Sequence, residues 1–132
     1  MAERWVTPRE WTARGEALAV EEGRPITVFQ GIPGERALVR RLGGGQHSDA
    51  AYWVKADRPD PHRVPAPCDR YVPCGGCALM HLDTAGQERA RRALVGTAIR
   101  DAVARYAAEV RDGSFPGEGK SFGLSEEVLK KL

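Results

Sequence analysis

The stretch Gly15-Glu-Ala-Leu-Ala-Val-Glu-Glu-Gly-Arg-Pro-Ile-Thr-Val-Phe-Gln-Gly-Ile-Pro-Gly-Glu35 decides the fold class. Ala17, Leu18 and Val20 make a short apolar run that ends in the turn signal Glu21-Glu22-Gly23. Ile26, Val28 and Phe29 make a second run, closed by Ile32-Pro33-Gly34. Short runs of this kind, bounded by Gly and Pro, are strands rather than helices. Outward from there, Ala37, Leu38 and Val39 open a third run that ends at Leu42, and Tyr52, Trp53 and Val54 mark a fourth. Gly43 to Asp49 between them reads as a flexible hairpin connection. Strands punctuated in this way every eight to twelve residues or so predict a small β-barrel. Residues 1–14 show no clear periodicity.

Past the strands, Pro59, Pro61, Pro65 and Pro67 exclude a central strand and predict an extended, polyproline-like linker. Leu94, Val95, Ile99, Val103, Tyr106 and Val110 recur at helical spacing, with Arg and Glu between them. They predict an amphipathic helix over roughly 84–112, capped by Asp83 or Thr84 and stopped at Asp112-Gly113. A Gly-rich tail follows, with a last helical turn capped at Ser125. The expected organisation is a mainly β chain with a C-terminal helix: a barrel over 1–58, a linker and cysteine-rich loop over 59–82, and a helix and tail over 83–132.

A chain of 132 residues has room for one domain, or a small domain with an appendage, so a bound metal would add usefully to a modest core. The net charge of +2 is shared evenly between the two halves, so overall charge does not argue for nucleic acid. RNA binding would need a local patch, either Arg36, Arg40 and Arg41 or Arg89, Arg91 and Arg92; both runs read equally well as solvated faces. On the fourth strand, Tyr52 or Trp53 could stack on unpaired bases, and alternation allows only one of them to face outward. The N-terminus lacks the apolar core of a signal peptide, and no window approaches the ~18 apolar residues of a membrane span. The expectation is a soluble, cytoplasmic protein with no membrane partner.

All three cysteines fall within ten positions, in Cys68-Asp-Arg-Tyr-Val-Pro-Cys74-Gly-Gly-Cys77. An odd count argues against a disulfide framework. The two-residue spacer brings Cys74 and Cys77 toward one ion, its glycines permit the tight turn, and Cys68 can loop back as a third thiolate. A fourth donor is then required. His81 would complete a Cys₃His zinc site; alternatively the thiolates hold an iron–sulfur cluster whose fourth ligand is exogenous or comes from another chain. A plain structural role for His81, packed beside Leu82, is the competing reading. His47, in the Gly-rich loop, and His62, between prolines, belong to no recognisable acid–base constellation.

At these residues the chain resembles the uracil-C5 methyltransferases of ribosomal and transfer RNA. Gly23 to Glu35, with Val28-Phe29 and Pro33-Gly34-Glu35, looks like the heart of that family's TRAM domain, a barrel of the oligonucleotide-binding (OB) type. Asp60-Pro61-His62-Arg63-Val64 looks like the linker after it, and Cys68-x₅-Cys74-Gly-Gly-Cys77 with His81-Leu82 looks like the family's [4Fe–4S] signature. The resemblance covers about residues 15 to 95. It implies RNA as partner and Cys68, Cys74 and Cys77 as cluster ligands. The family's fourth cysteine lies well downstream, and Met80 stands where the family usually has Gln. The family's chemistry needs an S-adenosylmethionine-binding domain and a nucleophilic cysteine. With every cysteine in the cluster motif, autonomous methylation is not expected; the chain would bind RNA, or complement a separate methyltransferase subunit. Residues 105 to 124, through Phe115-Pro116-Gly117-Glu118 and Ser121-Phe122, resemble the extreme C-terminus of ketopantoate hydroxymethyltransferase, and no active-site residue follows from that resemblance.

Overall fold

The computed structural model of the chain describes residues 3–43, 49–74, 76–117, 119 and 130. His47 and Ser125 lie outside the described residues. The elements run β1 (Glu3–Val6), β2 (Glu10–Trp11), β3 (Ala17–Glu21), β4 (Arg24–Phe29), β5 (Ala37–Arg41), β6 (Ala50–Ala56), a single turn α1 (Tyr71–Cys74) and a long α2 (Thr84–Asp112). The chain divides into two compact units, residues 1–96 and 97–132.

In the first unit the six strands form one curled, mixed sheet in the order β1-β5-β6-β4-β3-β2, a half-barrel. The hairpin β3–β4 turns on Glu22 and Gly23, both left-handed, at φ 50° and 79°. That is the geometry whose twist matches the flanking strands, and the glycine adopts it without steric cost. β4 runs parallel to β6, pairing Thr27, Val28 and Phe29 with Ala50, Ala51 and Tyr52, while β5 pairs antiparallel with both β1 and β6. β1 and β2 lie before residue 15, where the sequence shows no clear periodicity. Both are edge strands, and in β1 only Val6 is buried, so neither carries the alternation by which a strand is read.

The inner face gathers Val6, Ala17, Ala19, Ile26, Val28, Ala37, Val39 and Ala51, all buried. Four alanines among eight positions let the sheet curl tightly, and Trp53 packs against the cluster as its large filler. A bulge makes this possible. Leu38 pairs with Lys55 but Val39 pairs with Trp53, so Val54 is the extra residue and the indole joins the face of Val39. A second cluster of Ile32, Leu82 and Ala90, flanked by Trp11 and Leu79, seats the first turns of α2 against the loop after β4.

α2 starts where its cap predicts. Asp83 accepts a hydrogen bond from the Gly86 amide at 2.7 Å, and this bond, then His62, holds its carboxyl below the ordinary carboxylate range. It ends at Gly113, left-handed at φ 78°. In the second unit Tyr106 and Phe115 meet edge to face at 5.0 Å, and Val103 and Val110 are exposed.

The proline-rich segment is held to the sheet by a buried ion pair. Arg63 Nε donates to both carboxylate oxygens of Glu35 at 2.9 Å, and its Nη2 donates to the Gln30 carbonyl at 2.8 Å. The Glu35 side chain is 0% exposed. It also accepts from Trp53 Nε1 at 2.8 Å and from the Asp60 amide at 3.3 Å, and the guanidinium lies 4.1 Å from the centre of the Trp53 ring. Because the Glu35 carboxylate is fully buried with both oxygens partnered, removing Arg63 leaves a buried charge without its counter-ion. Arg63→Ala is expected to cost about 3–5 kcal/mol in urea unfolding. A joint Glu35→Gln/Arg63→Met replacement should cost less than the two single changes added together; strict additivity would contradict this account.

Candidate functional site

The cysteine loop is tied down at its base by Tyr71 and His81. Tyr71 is buried in α1, and its hydroxyl lies 2.6 Å from His81 Nδ1 and 3.0 Å from the Ala78 carbonyl. His81 Nε2 lies 3.1 Å from the Gly31 carbonyl. A carbonyl only accepts, so Nε2 carries the proton and Nδ1 accepts from Tyr71. Gly31 is where the loop after β4 presses onto the sheet: a Cβ there would lie 2.8 Å from Ala17 Cβ, so only glycine brings that carbonyl to His81. The strand-like bridge Arg63↔Leu82 and the bonds from the Val64 amide to the His81 carbonyl and from the Asp83 amide to the His62 carbonyl fasten the two ends of the loop together.

Burial, and then the charge of Arg63, lower the His81 pKa from 6.5 to about 4. The ring is thus a neutral tie, with both nitrogens in use inside the protein. Burial also raises the Tyr71 hydroxyl above its ordinary value.

The three thiols are unpaired, with Cys68 half-buried and Cys74 and Cys77 exposed. Among the described residues no three Cys, His, Asp or Glu side chains are gathered closely enough to hold a metal ion. The donor chemistry suits an iron–sulfur cluster or zinc: three thiols lie on one short loop, and Gly76 leaves room beside Cys74 Sγ, which a Cβ would approach to 3.4 Å. A Cys₃His zinc site would require His81 to exchange one of its two hydrogen bonds for the metal.

The expected RNA-binding residues separate onto two faces. Tyr52 pairs with Arg40 on one side and with Phe29 on the other, and Arg40 pairs with Glu3, so these four share a row across β1, β5, β6 and β4. Tyr52 is the residue of its pair that faces away from the core, and Trp53 faces in. Arg40 lies 2.6 Å from Glu3 and Arg36 lies 3.1 Å from Asp57, all largely exposed. Arg41, opposite buried Ala51, reaches Glu21 at 3.5 Å. Arg36 also lies 4.8 Å from the centre of the Trp5 ring. Exposed pairs of this kind contribute about 0–1 kcal/mol, so a phosphate can replace the carboxylate at little cost. In the other basic run, Arg89 is bonded to Asp60, Arg91 to Gln87 and Arg92 to Glu88.

Between the outer row and the cysteine loop lies a cleft of about 230 Å³, lined by Arg14, Glu16, Phe29, Gln30, Tyr52, Tyr71, Cys77 and Ala78. Of these only Tyr52 and Cys77 were singled out from sequence. Phe29 carried a usable signal, since it alternates with buried Ile26 and Val28 and must face outward with Thr27.

No protein-family model matches the chain. It is 37% identical over 73 residues, 55% of its length, to the 23S rRNA (uracil(1939)-C(5))-methyltransferase of Acidithiobacillus ferrooxidans. It is 34% identical over 82 residues, 62% of its length, to the enzyme of the same name from Vibrio cholerae. An uncharacterized RNA methyltransferase of Bacillus cereus is 34% identical over 94 residues, 71% of this chain. These homologues are RNA methyltransferases that match the N-terminal part of the chain. The chain spans about a fifth of the length of these curated relatives, 17% to 20%. No helix among the described residues is long and apolar enough to cross a membrane.

His81 makes stability depend on pH. The unfolded chain takes up its proton near pH 6.5, whereas the folded chain resists until about pH 4. The stability that neutral His81 contributes is therefore complete above pH 6.5 and lost as the pH falls through that window, by up to about 3 kcal/mol. Urea midpoints across the window should drop in the wild type, and His81→Gln should flatten the profile; equal slopes in both would contradict the assignment.

Proposed function

We propose that this chain captures single-stranded segments of RNA on the outer face of a TRAM-like half-barrel, beside a loop that carries an iron–sulfur cluster, as the substrate-binding part of an RNA uracil-C5 methyltransferase architecture. The observation that carries this reading is the cysteine loop, tied at its base through Tyr71, His81 and Gly31, sharing one cleft with Phe29 and Tyr52 of the outer face. The similarity to ribosomal RNA methyltransferases supports RNA as the ligand, with ribosomal or transfer RNA as its natural source.

In this reading Cys68, Cys74 and Cys77 hold the cluster, and the fourth ligand is exogenous or comes from another chain. His81 does not serve, because both of its nitrogens already hold the loop to the sheet. When bound, the cluster would cross-link the loop and fix its outer end as the Tyr71–His81 tie fixes its base. Arg40 and Arg36 track phosphates, and Tyr52 offers a ring to a base. Trp53 supports the face from within rather than touching RNA. With the cysteines committed to the loop, the methyl transfer named for the relatives falls to parts outside these residues, for which a separate methyltransferase subunit is the proposed partner.

The test is RNA affinity against salt. Fluorescence anisotropy with a labelled single-stranded RNA should give an affinity whose logarithm falls linearly with the logarithm of salt concentration, and Arg40→Ala should reduce the slope by about 0.7. Binding indifferent to salt, or none at micromolar RNA, would contradict the reading.

A further inference from the structure

The cleft between the sheet and the cysteine loop has features that RNA capture in general does not require. Its sheet-side wall is the pair Phe29 and Tyr52, with ring centres 5.2 Å apart and planes tilted by 34°. Tyr71 also lines the cleft, and with its hydroxyl taken up by His81 it offers the cleft its ring. The polar lining comes from Arg14, Glu16 and Gln30. A guanidinium donates, a carboxylate accepts, and an amide does both. Thr12 holds Glu16 in place, its hydroxyl donating to Oε2 at 2.7 Å.

Gln30 adds an independent observation. It is left-handed at φ 62°, an uncommon conformation for a residue with a side chain, and the Arg63 guanidinium holds its carbonyl there at 2.8 Å. Backbone of this kind persists where the surroundings impose it, and it concentrates at ligand clamps. Here the buried ion pair holds in place a residue that lines the cleft.

At about 230 Å³ the cleft is smaller than the roughly 300–1,000 Å³ of sites for drug-sized ligands. Aromatic walls with mixed donors and acceptors at the edge match a flat heterocycle carrying N–H and C=O groups, not an alkyl chain or a peptide side chain. We propose that this cleft is a pocket for one unpaired nucleobase of the bound RNA, stacked on Tyr52 and Phe29 with its edge read by Gln30 and Glu16. The proposal rests on the RNA-capture reading and adds the site that takes the base.

The experiment uses the full chain and labelled single-stranded RNA, intact or with one abasic nucleotide walked along the strand. Tyr52→Leu and Phe29→Leu are each expected to weaken binding to intact RNA about ten-fold, with Tyr52→Phe recovering most of the loss. At one strand position the abasic RNA should bind the wild type about ten-fold more weakly than intact RNA does, and that difference should vanish in Tyr52→Leu. Circular dichroism and the urea midpoint of each variant report whether it is folded. Folded leucine variants that bind like wild type, or an abasic penalty unchanged by Tyr52→Leu, would overturn the pocket and leave RNA capture standing. A wild-type chain that binds no RNA would overturn both.

Discussion

The buried pair of Glu35 and Arg63 is the constraint on which the rest of the first unit depends. Glu35 sits just before β5, and Arg63 lies in a proline-rich segment whose strand-like pairing is the single bridge to Leu82. Their union fixes three things at once. It lays the linker against the sheet, it orients the Trp53 indole that completes the inner core, and through the Gln30 carbonyl it sets the loop whose next residue, Gly31, meets His81. A fully buried carboxylate costs several kcal/mol in desolvation unless it is completely satisfied, and here Trp53, Asp60 and Arg63 supply every partner.

That arrangement changes the meaning of the motifs. Pro33-Gly34-Glu35 and Asp60-Pro61-His62-Arg63-Val64 read as two separate signatures, one of a barrel and one of a linker. In space they are the two halves of one clamp. His81, which spacing makes a plausible zinc ligand, is instead neutral and buried, with both ring nitrogens used to join the cysteine loop to the sheet. In the proposed reading the metal is thereby left to the three thiols of the loop, and the His81 ring serves as the tie at its base.

Much of this fold was legible from local pattern. The four central strands, the Glu22-Gly23 turn and both ends of α2 follow from alternation, turn residues and caps, which act over a few residues. β1 and β2 were not legible, because edge strands bury almost nothing and show no period. Which of Tyr52 and Trp53 faces the core depends on a bulge at Val54, a register event that only pairing with β5 reveals. The cleft was half legible: Tyr52 and Cys77 stood out, whereas Phe29, Gln30 and Tyr71 meet only once the loop docks. The ion pair joins residues 28 positions apart, beyond the reach of any local signal.

The proposed role makes the cysteine loop a cofactor-bearing arm beside a face that takes RNA. Its most direct test is to purify the chain without oxygen and measure iron, sulfide and zinc per chain together with the visible spectrum. The account predicts a coloured protein with several irons and matching sulfide, whose colour is lost in Cys77→Ser and kept in His81→Gln. A colourless, folded protein with one zinc per chain that His81→Gln releases would contradict it, and would make His81 a ligand rather than a tie.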